Sequence, residues 1–342
     1  MRTLTLRELN RATLARQLLL ERRRLPVARA VERLAGMQAQ WPPSPYIGLW
    51  SRLDRFRRET LERAILRGDI VKATLMRSTL HLVARRDYAP YWTALHDIRT
   101  WADSAVLSDA QRAELGLEEL VAAGPVTLKQ VVAHLERHGL FDVHARRVWH
   151  AARVRLHVHH APHTALWTNR PEAVYTRVDA HDELDRLAAV THLVRAYLSA
   201  FGPATRADLA DWSGLRVRDF DPALEALEPL QRFRNEDGKE LLDLPRAPLP
   251  PAEMPAPVRF LPKWDSILLA HADRRRVLPE EYRKGVIVKN GDVAQTFLVD
   301  GLVAGTWHSE GGHVRAEAFA PLPRVARREV ADEAARLEAW LR

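Results

Sequence analysis

The chain of 342 residues contains no cysteine, which excludes disulfide bonds, thiolate metal ligands and a cysteine nucleophile. It also lacks any run of about 18 apolar residues, so the sequence predicts no membrane-spanning helix. The N-terminus, Met1–Leu4, soon becomes charged and does not have the pattern of a secretory signal. From these absences we expect a cytoplasmic protein.

Acidic side chains are in the minority, with 44 aspartates and glutamates against 52 lysines and arginines, and the formal net charge is +8. The basic residues are mostly arginine, which binds phosphate in a bidentate manner. A GC-rich coding sequence also enriches arginine, but it does not explain the positive surplus. The charge therefore favours a polyanionic partner such as nucleic acid.

A partial repeat organises the middle of the chain. Gly-Pro turns at 124–125 and 202–203 precede Thr127 and Thr205, each of which can cap the helix that follows. Both helices are predicted to end at glycine, and each leads into a second amphipathic segment and then into short β-like pieces. These pieces are Ala165–Thr168 in the first copy, and Leu230–Phe233 with Leu241–Leu244 in the second. This order is typical of a winged helix-turn-helix unit.

The N-terminal region has the same order of elements. Helical spacing covers Leu6–Leu20, a second helix begins at Pro26, and a third covers Glu59–Leu66. The segments 70–77 and 78–83 then read as a β-hairpin, or wing. We therefore predict three tandem winged-helix units at residues 1–110, 111–182 and 183–245.

A proline-rich segment from Pro245 to Pro257 separates these units from a strand-rich region. Strands are predicted at 258–261, 285–289, 296–300, 302–307 and 313–319, with Asp300-Gly301 as a hairpin turn. A C-terminal helix is expected over Val330–Leu341. The sequence thus predicts an α+β protein in which residues 246–342 form a small β-barrel with a C-terminal helix.

Two glutamines, Gln38 and Gln40, flank Ala39 directly after the predicted end of a helix near Gly36. If the backbone is extended, residues two apart point to the same side. Two amides would then face one small space, where they can hold and orient a water without carrying charge. The alternative is a pair of solvated glutamines at the end of a helix.

Several motifs together resemble the winged-helix DNA glycosylases of the AlkZ type, bacterial enzymes that excise N-alkylated purines and unhook interstrand crosslinks. The resemblance covers nearly the whole chain, and it rests on Met37-Gln38-Ala39-Gln40, the wing Leu75–His81, the segment Arg259–Ser266 and Phe297–Gly301. It implies that Gln38 and Gln40 are catalytic, because they match the Gln-apolar-Gln motif of the family. A sister branch has aspartate at the second position. The resemblance also implies three winged helices and a β-barrel, C-shaped around a duplex-sized cleft.

The chemistry expected from this motif is hydrolysis of the N-glycosidic bond of a cationic base, N7-alkylguanine above all. Such a base leaves without protonation, so a general acid is dispensable, and the enzyme has to position water and tolerate an oxocarbenium-like transition state. We expect a monofunctional glycosylase, because a lyase needs an amine nucleophile and lysines are few. Interstrand crosslinks are a further candidate substrate. Protection against a DNA-alkylating antibiotic and general alkylation repair are both possible roles.

The DNA contacts predicted from the sequence lie beside the motif and on the wing. Trp41 is a candidate for stacking on DNA and Lys72 for contacting a phosphate, while Arg77, Thr79 and His81 alternate along the hairpin and are candidates for entering a groove. An ordinary polar outer face of a hairpin explains the same alternation.

The five histidines between His150 and His163 invite a metal-site interpretation, but no cysteine or nearby carboxylate completes a tetrahedral set. We therefore expect no metal and no cofactor, and a monomer that binds double-stranded DNA containing alkylated purines. Two other hypotheses stay open. One is a non-catalytic winged-helix DNA-binding or regulatory protein, and the other is a resistance protein that sequesters a toxin.

Overall fold

The computed structural model of the protein describes residues 1–96, 114–167, 172–178, 184–288 and 291–342. The helices are α1 (Leu6–Arg16), α2 (Val27–Arg33), α3 (Ser44–Arg52), α4 (Arg58–Leu66), α5 (Arg85–Leu95), α6 (Leu117–Ala122), α7 (Leu128–Arg137), α8 (Asp142–Arg155), α9 (Arg186–Phe201), α10 (Arg206–Ser213), α11 (Asp221–Ala226), α12 (Arg283–Val286) and α13 (Arg324–Leu341). Within the described ranges, no helix is both long and apolar enough to cross a membrane.

The strands form separate small sheets. They are β1 (Thr3–Leu4), β2 (Met37–Gln38), β3 (Ile70–Thr74), β4 (Leu80–Ala84), β5 (Val126–Thr127), β6 (Val158–His160), β7 (Val174–Arg177), β8 (Gln231–Asn235), β9 (Glu240–Asp243), β10 (Arg259–Leu261), β11 (Thr296–Val299), β12 (Leu302–Glu310) and β13 (His313–Ala318). Three sheets have three strands each, in the orders β2-β4-β3, β5-β7-β6 and β1-β8-β9. The fourth has the order β10-β11-β12-β13 and is antiparallel throughout. The fold is therefore of the mixed α+β class, as predicted.

Local capping signals set the starts of the repeated helices. Thr127 caps α7 and Thr205 caps α10, and each side chain accepts a hydrogen bond from the backbone of the third helical residue, whose own side chain bonds back to the cap. These reciprocal bonds satisfy backbone donors that the helix itself leaves unpaired. Gly139 and Gly214 follow the two helices with φ of +78° and +89°, a region that favours glycine. The predicted repeat of capped helices is confirmed at these positions.

Several sequence predictions about strands are wrong. Residues 165–167 form a turn, and the hairpin of that region is made by β6 and β7 instead; Thr168 lies outside the described residues. The predicted strand 285–289 begins inside the short helix α12, where Val286 is buried, and Lys289 is also outside the described residues. The described strands of the C-terminal region form an open four-stranded sheet with β10 and β13 at its edges, not a closed barrel.

The first and third predicted units share part of their interior. β1, at the very N-terminus, pairs in parallel with β8 near residue 234. One apolar core joins Val83 and Tyr91 to Tyr197, Phe201 and Trp212, so the first and third predicted units share their interior. The second unit has a core of its own around Trp149. The boundaries near 110 and 182 lie outside the described residues, and the division into domains stays a prediction.

Candidate active site

A tight turn after α2 places the first glutamine in a sheet. Ala35 and Gly36 have φ of +56° and +88°, which turns the chain from the helix into β2. A Cβ on Gly36 would lie 2.9 Å from Val83 Cγ1, so this position favours glycine on two grounds. β2 then runs antiparallel to β4, with Gln38 opposite His81. The predicted extended backbone at Gln38 is confirmed.

The Gln38 side chain is 6% exposed, and its amide has a fixed orientation. Oε1 of Gln38 accepts a hydrogen bond from Nη2 of Arg77 at 3.1 Å. A guanidinium has no acceptor atom, so the carbonyl oxygen of the amide must face Arg77 and the amino group must point away from it. Arg77 uses one lone pair of this oxygen, and the other remains available to a ligand.

Gln40 lies nearer to solvent than Gln38. Its side chain is exposed, and its Oε1 accepts a hydrogen bond from the backbone N–H of Leu80 at 3.3 Å. The backbone N–H of Ala39 donates to the Leu80 carbonyl at 2.7 Å, which keeps the chain extended between the two glutamines. The arrangement therefore has one buried amide, that of Gln38, and one exposed amide, that of Gln40.

Arg77 links the wing to the third predicted unit. It lies between β3 and β4, where Arg77 and Ser78 have φ of +53° and +57°, a conformation that costs about 1 kcal/mol or more per residue and persists only when neighbours hold it. Nη1 of Arg77 donates to the Trp212 carbonyl at 2.6 Å. Burial lowers the pKa of Arg77 to about 10, with Asp211 opposing the shift and Arg274 adding to it. At neutral pH the guanidinium is charged, and both its hydrogen-bond acceptors are neutral.

The predicted row of wing residues does not form a free outer face. Thr79 Oγ1 donates to the Met76 carbonyl at 3.0 Å. His81 is 2% exposed, with Nδ1 3.0 Å from the Thr79 carbonyl, and because a carbonyl only accepts, the proton lies on Nδ1. Burial, followed by the nearby Arg77 charge, lowers the pKa of His81 to about 3. His81 is thus a neutral, buried neighbour of Gln38 and does not offer a surface to DNA.

Lys72 and Trp41 take different places from those expected of surface contacts. Lys72 is 7% exposed and pairs in register with Leu82, so its side chain lies on the sheet face opposite to that of Gln38 and His81. Trp41 is half-buried and lines a cavity of about 370 Å³ together with Ile47, Trp167 and Trp307. Trp41 therefore has its ring beside open space, whereas Lys72 is buried.

Beside Gln38 lies a buried ion pair that was not predicted from the sequence. Gln38, Ser44, Arg52, Trp264 and Asp265 line a crevice of about 10 Å³, the size at which a cavity holds about one water. Both oxygens of Asp265 accept hydrogen bonds from Arg52, at 2.9 and 2.8 Å. The motif has no carboxylate, but the crevice has one, and its charge is matched by Arg52. In the sequence, the segment around Asp265 stands out only through its family resemblance.

The histidines of the second unit are dispersed among aromatic and basic neighbours. His157 stacks on Trp92 at 4.3 Å and on Tyr88 at 5.4 Å between ring centres. His163 is exposed, whereas His159 and His160 are buried. Across the residues that the structure describes, no group of three or more histidine or carboxylate side chains is placed to hold a metal ion.

Comparisons with known proteins identify the class. Residues 31–340 match the family model of AlkZ-like DNA glycosylases. Because the match covers most of the chain, the protein belongs to this family and is a DNA glycosylase, as its motifs had implied. Among solved structures, the chain is similar to the Streptomyces sahachiroi DNA glycosylase AlkZ, with 21% identity and a TM-score of 0.81 over 99% of this chain and 97% of that one. At this identity the likeness establishes the fold. No curated protein sequence matches the chain.

Proposed function

We propose that the protein is a monofunctional glycosylase that hydrolyses the N-glycosidic bond of cationic N-alkylated purines in double-stranded DNA, with water positioned by Gln38 and Gln40. The observation that carries this proposal is the Gln38 amide, which is buried, uncharged and held through its oxygen by Arg77. A side chain fixed in this way is suited to orienting a small ligand, because little rotational freedom is left to lose.

The charges around the crevice suit a substrate base that is already cationic. Asp265 lines the same space as Gln38, but both its oxygens are bonded to Arg52. No proton has to be given to an N7-alkylated base before it departs, so a general acid is unnecessary. The remaining task is to place water against the anomeric carbon. The second lone pair of the Gln38 oxygen and the exposed amide of Gln40 serve that task.

The size of the crevice favours a base that stays in the helix. At about 10 Å³, the space beside Gln38 admits a water and is far too small for an extruded purine. Many enzymes that act on bases need such a pocket. A purine tethered to the opposite strand has no freedom to swing out, so interstrand crosslinks of N7-alkylguanine belong to the substrates that we propose.

We propose that the three small sheets with their helices act as winged-helix units around a DNA cleft, and that Trp41, Arg77 and Thr79 contact DNA beside the lesion. Trp41 offers a half-exposed ring immediately after Gln40, and stacking of a base on an aromatic ring contributes about 1–3 kcal/mol. Lys72 and His81 are buried, so neither belongs to this exposed contact surface. The enzyme serves alkylation repair or resistance to a DNA-alkylating antibiotic.

The central experiment measures base release from a duplex with a single N7-methylguanine, by chromatography of the free base and by alkaline cleavage of the abasic site. Wild type should release the base, and the double variant Gln38→Ala with Gln40→Ala should lose about 100-fold or more in rate, the scale of a positioned catalytic group. Gln231→Ala, at an exposed position on β8, is the matched control. Unchanged rates in the double variant would contradict the assignment of the two glutamines.

Further measurements separate the alternatives. Borohydride trapping of a covalent protein–DNA adduct would show a lyase and contradict the monofunctional assignment. Tight binding of free alkylating agent without base release would favour the sequestering hypothesis. Sequence-specific binding of intact duplex without base release would favour the regulatory one. A duplex crosslinked through N7 of two guanines tests unhooking directly, by separation of the strands in a denaturing gel.

A further inference from the structure

A cluster of buried basic side chains lies on the other face of the wing sheet, between β3 and β6. We call Lys72, His150, Arg153 and His160 the junction cluster. Lys72 and His160 are each 7% exposed, and His150 is 9% exposed. β3 and β6 are in contact along this junction, so the cluster lies where the first predicted unit meets the second.

The hydrogen bonds of the junction cluster leave basic groups without acceptors. Arg153 donates through Nη1 to the Tyr175 hydroxyl at 3.0 Å and through Nη2 to His150 Nδ1 at 2.9 Å. Among the described residues, neither Nε of Arg153 nor either ring nitrogen of His160 has a hydrogen-bond partner. In the described part of the chain, Lys72 likewise has no hydrogen-bond acceptor and no ion-pair partner.

The charges of the junction cluster are of one sign. Burial, followed by the nearby Arg153 charge, lowers the pKa of Lys72 to about 8. The pKa of His160 is well below its ordinary value because of burial, with Lys72, Arg153 and His159 acting in the same direction. Among described residues, no carboxylate contributes to either shift. Burying a cation without an opposite charge is unfavourable, and a bound anion would offset that cost.

We propose that the junction cluster is a binding site for a phosphate-type oxyanion, held by Lys72, Arg153 and His160. Arginine and lysine are the side chains that bind phosphate oxygens most strongly, since their hydrogen bonds to an anion are charge-assisted. The acceptors that Arg153 now uses are neutral, and its half-buried side chain connects the cluster with the surface. The anion is either free inorganic phosphate or a phosphodiester of bound DNA, which have the same recognition chemistry.

The test follows the Lys72 ammonium by NMR in protein labelled with ¹³C-lysine. The chain has six lysines, Lys72, Lys129, Lys239, Lys263, Lys284 and Lys289, so Lys72→Met assigns the signal. In phosphate-free buffer, added inorganic phosphate should shift the Lys72 signal and raise its pKa. Thermal unfolding at constant ionic strength should show a stabilisation by phosphate that is at least about tenfold weaker in apparent affinity in Lys72→Met and Arg153→Met, and unchanged in the exposed control Lys239→Met.

A pH series uses sulfate, whose charge stays constant in the range of interest. The groups that face the cluster are Lys72 on β3, His150 and Arg153 on α8, His159 and His160 on β6, and Arg85 near His159. Because Lys72 loses its proton as pH rises through about 8, sulfate affinity should fall between pH 7 and 9.5 in wild type. In Lys72→Met this dependence should largely disappear.

A parallel titration with undamaged duplex DNA distinguishes the two sources of the anion. A shift of the Lys72 signal by duplex in phosphate-free buffer would show that a backbone phosphodiester enters the site. A shift by inorganic phosphate alone would show a site for the free ion. Both results support the oxyanion site. If neither phosphate nor duplex moves the Lys72 signal, or if Lys72→Met and Lys239→Met respond identically to phosphate, the proposal is wrong. Neither result depends on glycosylase activity.

Discussion

Two buried arginines in the body of the protein, Arg16 and Arg52, have partners of a different kind from those of the half-buried Arg77 in its wing. In the body, both terminal nitrogens of Arg16 bond to Asp243 at 2.7 Å, and both terminal nitrogens of Arg52 bond to Asp265 at 2.9 and 2.8 Å. Among the described residues, the hydrogen-bond acceptors of Arg77 in the wing are a backbone carbonyl and the neutral amide of Gln38. Arg16 and Arg52 therefore form bidentate ion pairs, whereas both hydrogen-bond acceptors of Arg77 are neutral.

This difference separates structural charges from charges that remain available. A buried bidentate pair has its electrostatic demands met within the protein, and its role is to join distant segments. A cation whose hydrogen-bond acceptors are neutral can still form charge-assisted hydrogen bonds to a phosphate, even where a carboxylate such as Asp211 attracts it without a hydrogen bond. Lys72 extends the same pattern to the opposite face of the wing sheet. We therefore propose that Arg16 and Arg52 stabilise the fold and that the wing cations take part in ligand recognition.

The largest expected effect comes from breaking a body pair. Asp265→Ala leaves Arg52 buried without its carboxylate, and we expect a loss of about 3–5 kcal/mol in the free energy of unfolding, measured by urea titration. The double variant Arg52→Met with Asp265→Leu removes both charges and should recover much of this loss. If Asp265→Ala alone is nearly neutral, the pair is not structural and the comparison fails.

Substitution of Arg77 in the wing should lower the rate of base release rather than the stability. Arg77→Ala removes the donor that fixes the Gln38 amide, and we expect base release to slow by about 10- to 100-fold, the equivalent of one hydrogen bond to a charged group. Arg77→Lys keeps the charge but not the two-armed geometry, and should recover activity only in part. Rates are measured at saturating and at limiting DNA, so that weaker DNA binding is separated from slower chemistry. Loss of stability without loss of rate per folded molecule would place Arg77 with the body arginines.

The short elements of this fold could be predicted because their sequence signals lie in adjacent residues. The wing hairpin follows from the alternation in 70–83, and the threonine caps follow from a Gly-Pro turn before a helical segment. The turn at Asp300-Gly301 has φ of +46° and +82°, as its residue types favour. The two glutamines were noticed for the same reason, since their spacing is visible in three residues of sequence.

Features that depend on distant partners were not predictable. Arg52 and Asp265 are 213 residues apart, and neither residue has a neighbour in sequence that indicates the pair. Lys72 is buried because β3 contacts β6, a strand of the second predicted unit. The strand prediction at 285–289 failed because β-branched residues favour a strand locally, whereas packing buries Val286 in a short helix.

Lowering the pH should reduce the stability of the folded protein through protonation of His81 in the unfolded chain. Its pKa in the folded protein is about 3, below the ordinary value of about 6.5, so between these values the unfolded chain binds a proton that the folded chain does not. Stability should therefore fall as pH drops through this window, by about 2 kcal/mol between pH 7.5 and 5 from this residue. Urea titrations of His81→Asn should show a smaller loss over the same interval, because the protonation cost is removed. His163→Asn, at an exposed position, is the control, and an identical pH dependence in both variants would show that His81 is not the group responsible.

The smallest effect is expected where an ion pair is present but exposed. Arg67 and Asp69 approach to 2.8 Å at the entrance to β3, with side chains 68% and 45% exposed. Water screens such a pair and side-chain entropy opposes it, so Asp69→Ala should change the free energy of unfolding by no more than about 1 kcal/mol. The same urea titration that measures Asp265→Ala measures this variant. A loss as large as that of Asp265→Ala would mean that pairing alone, without burial, makes an arginine structural here. The expected small loss would show that burial makes the Arg52–Asp265 pair important for stability.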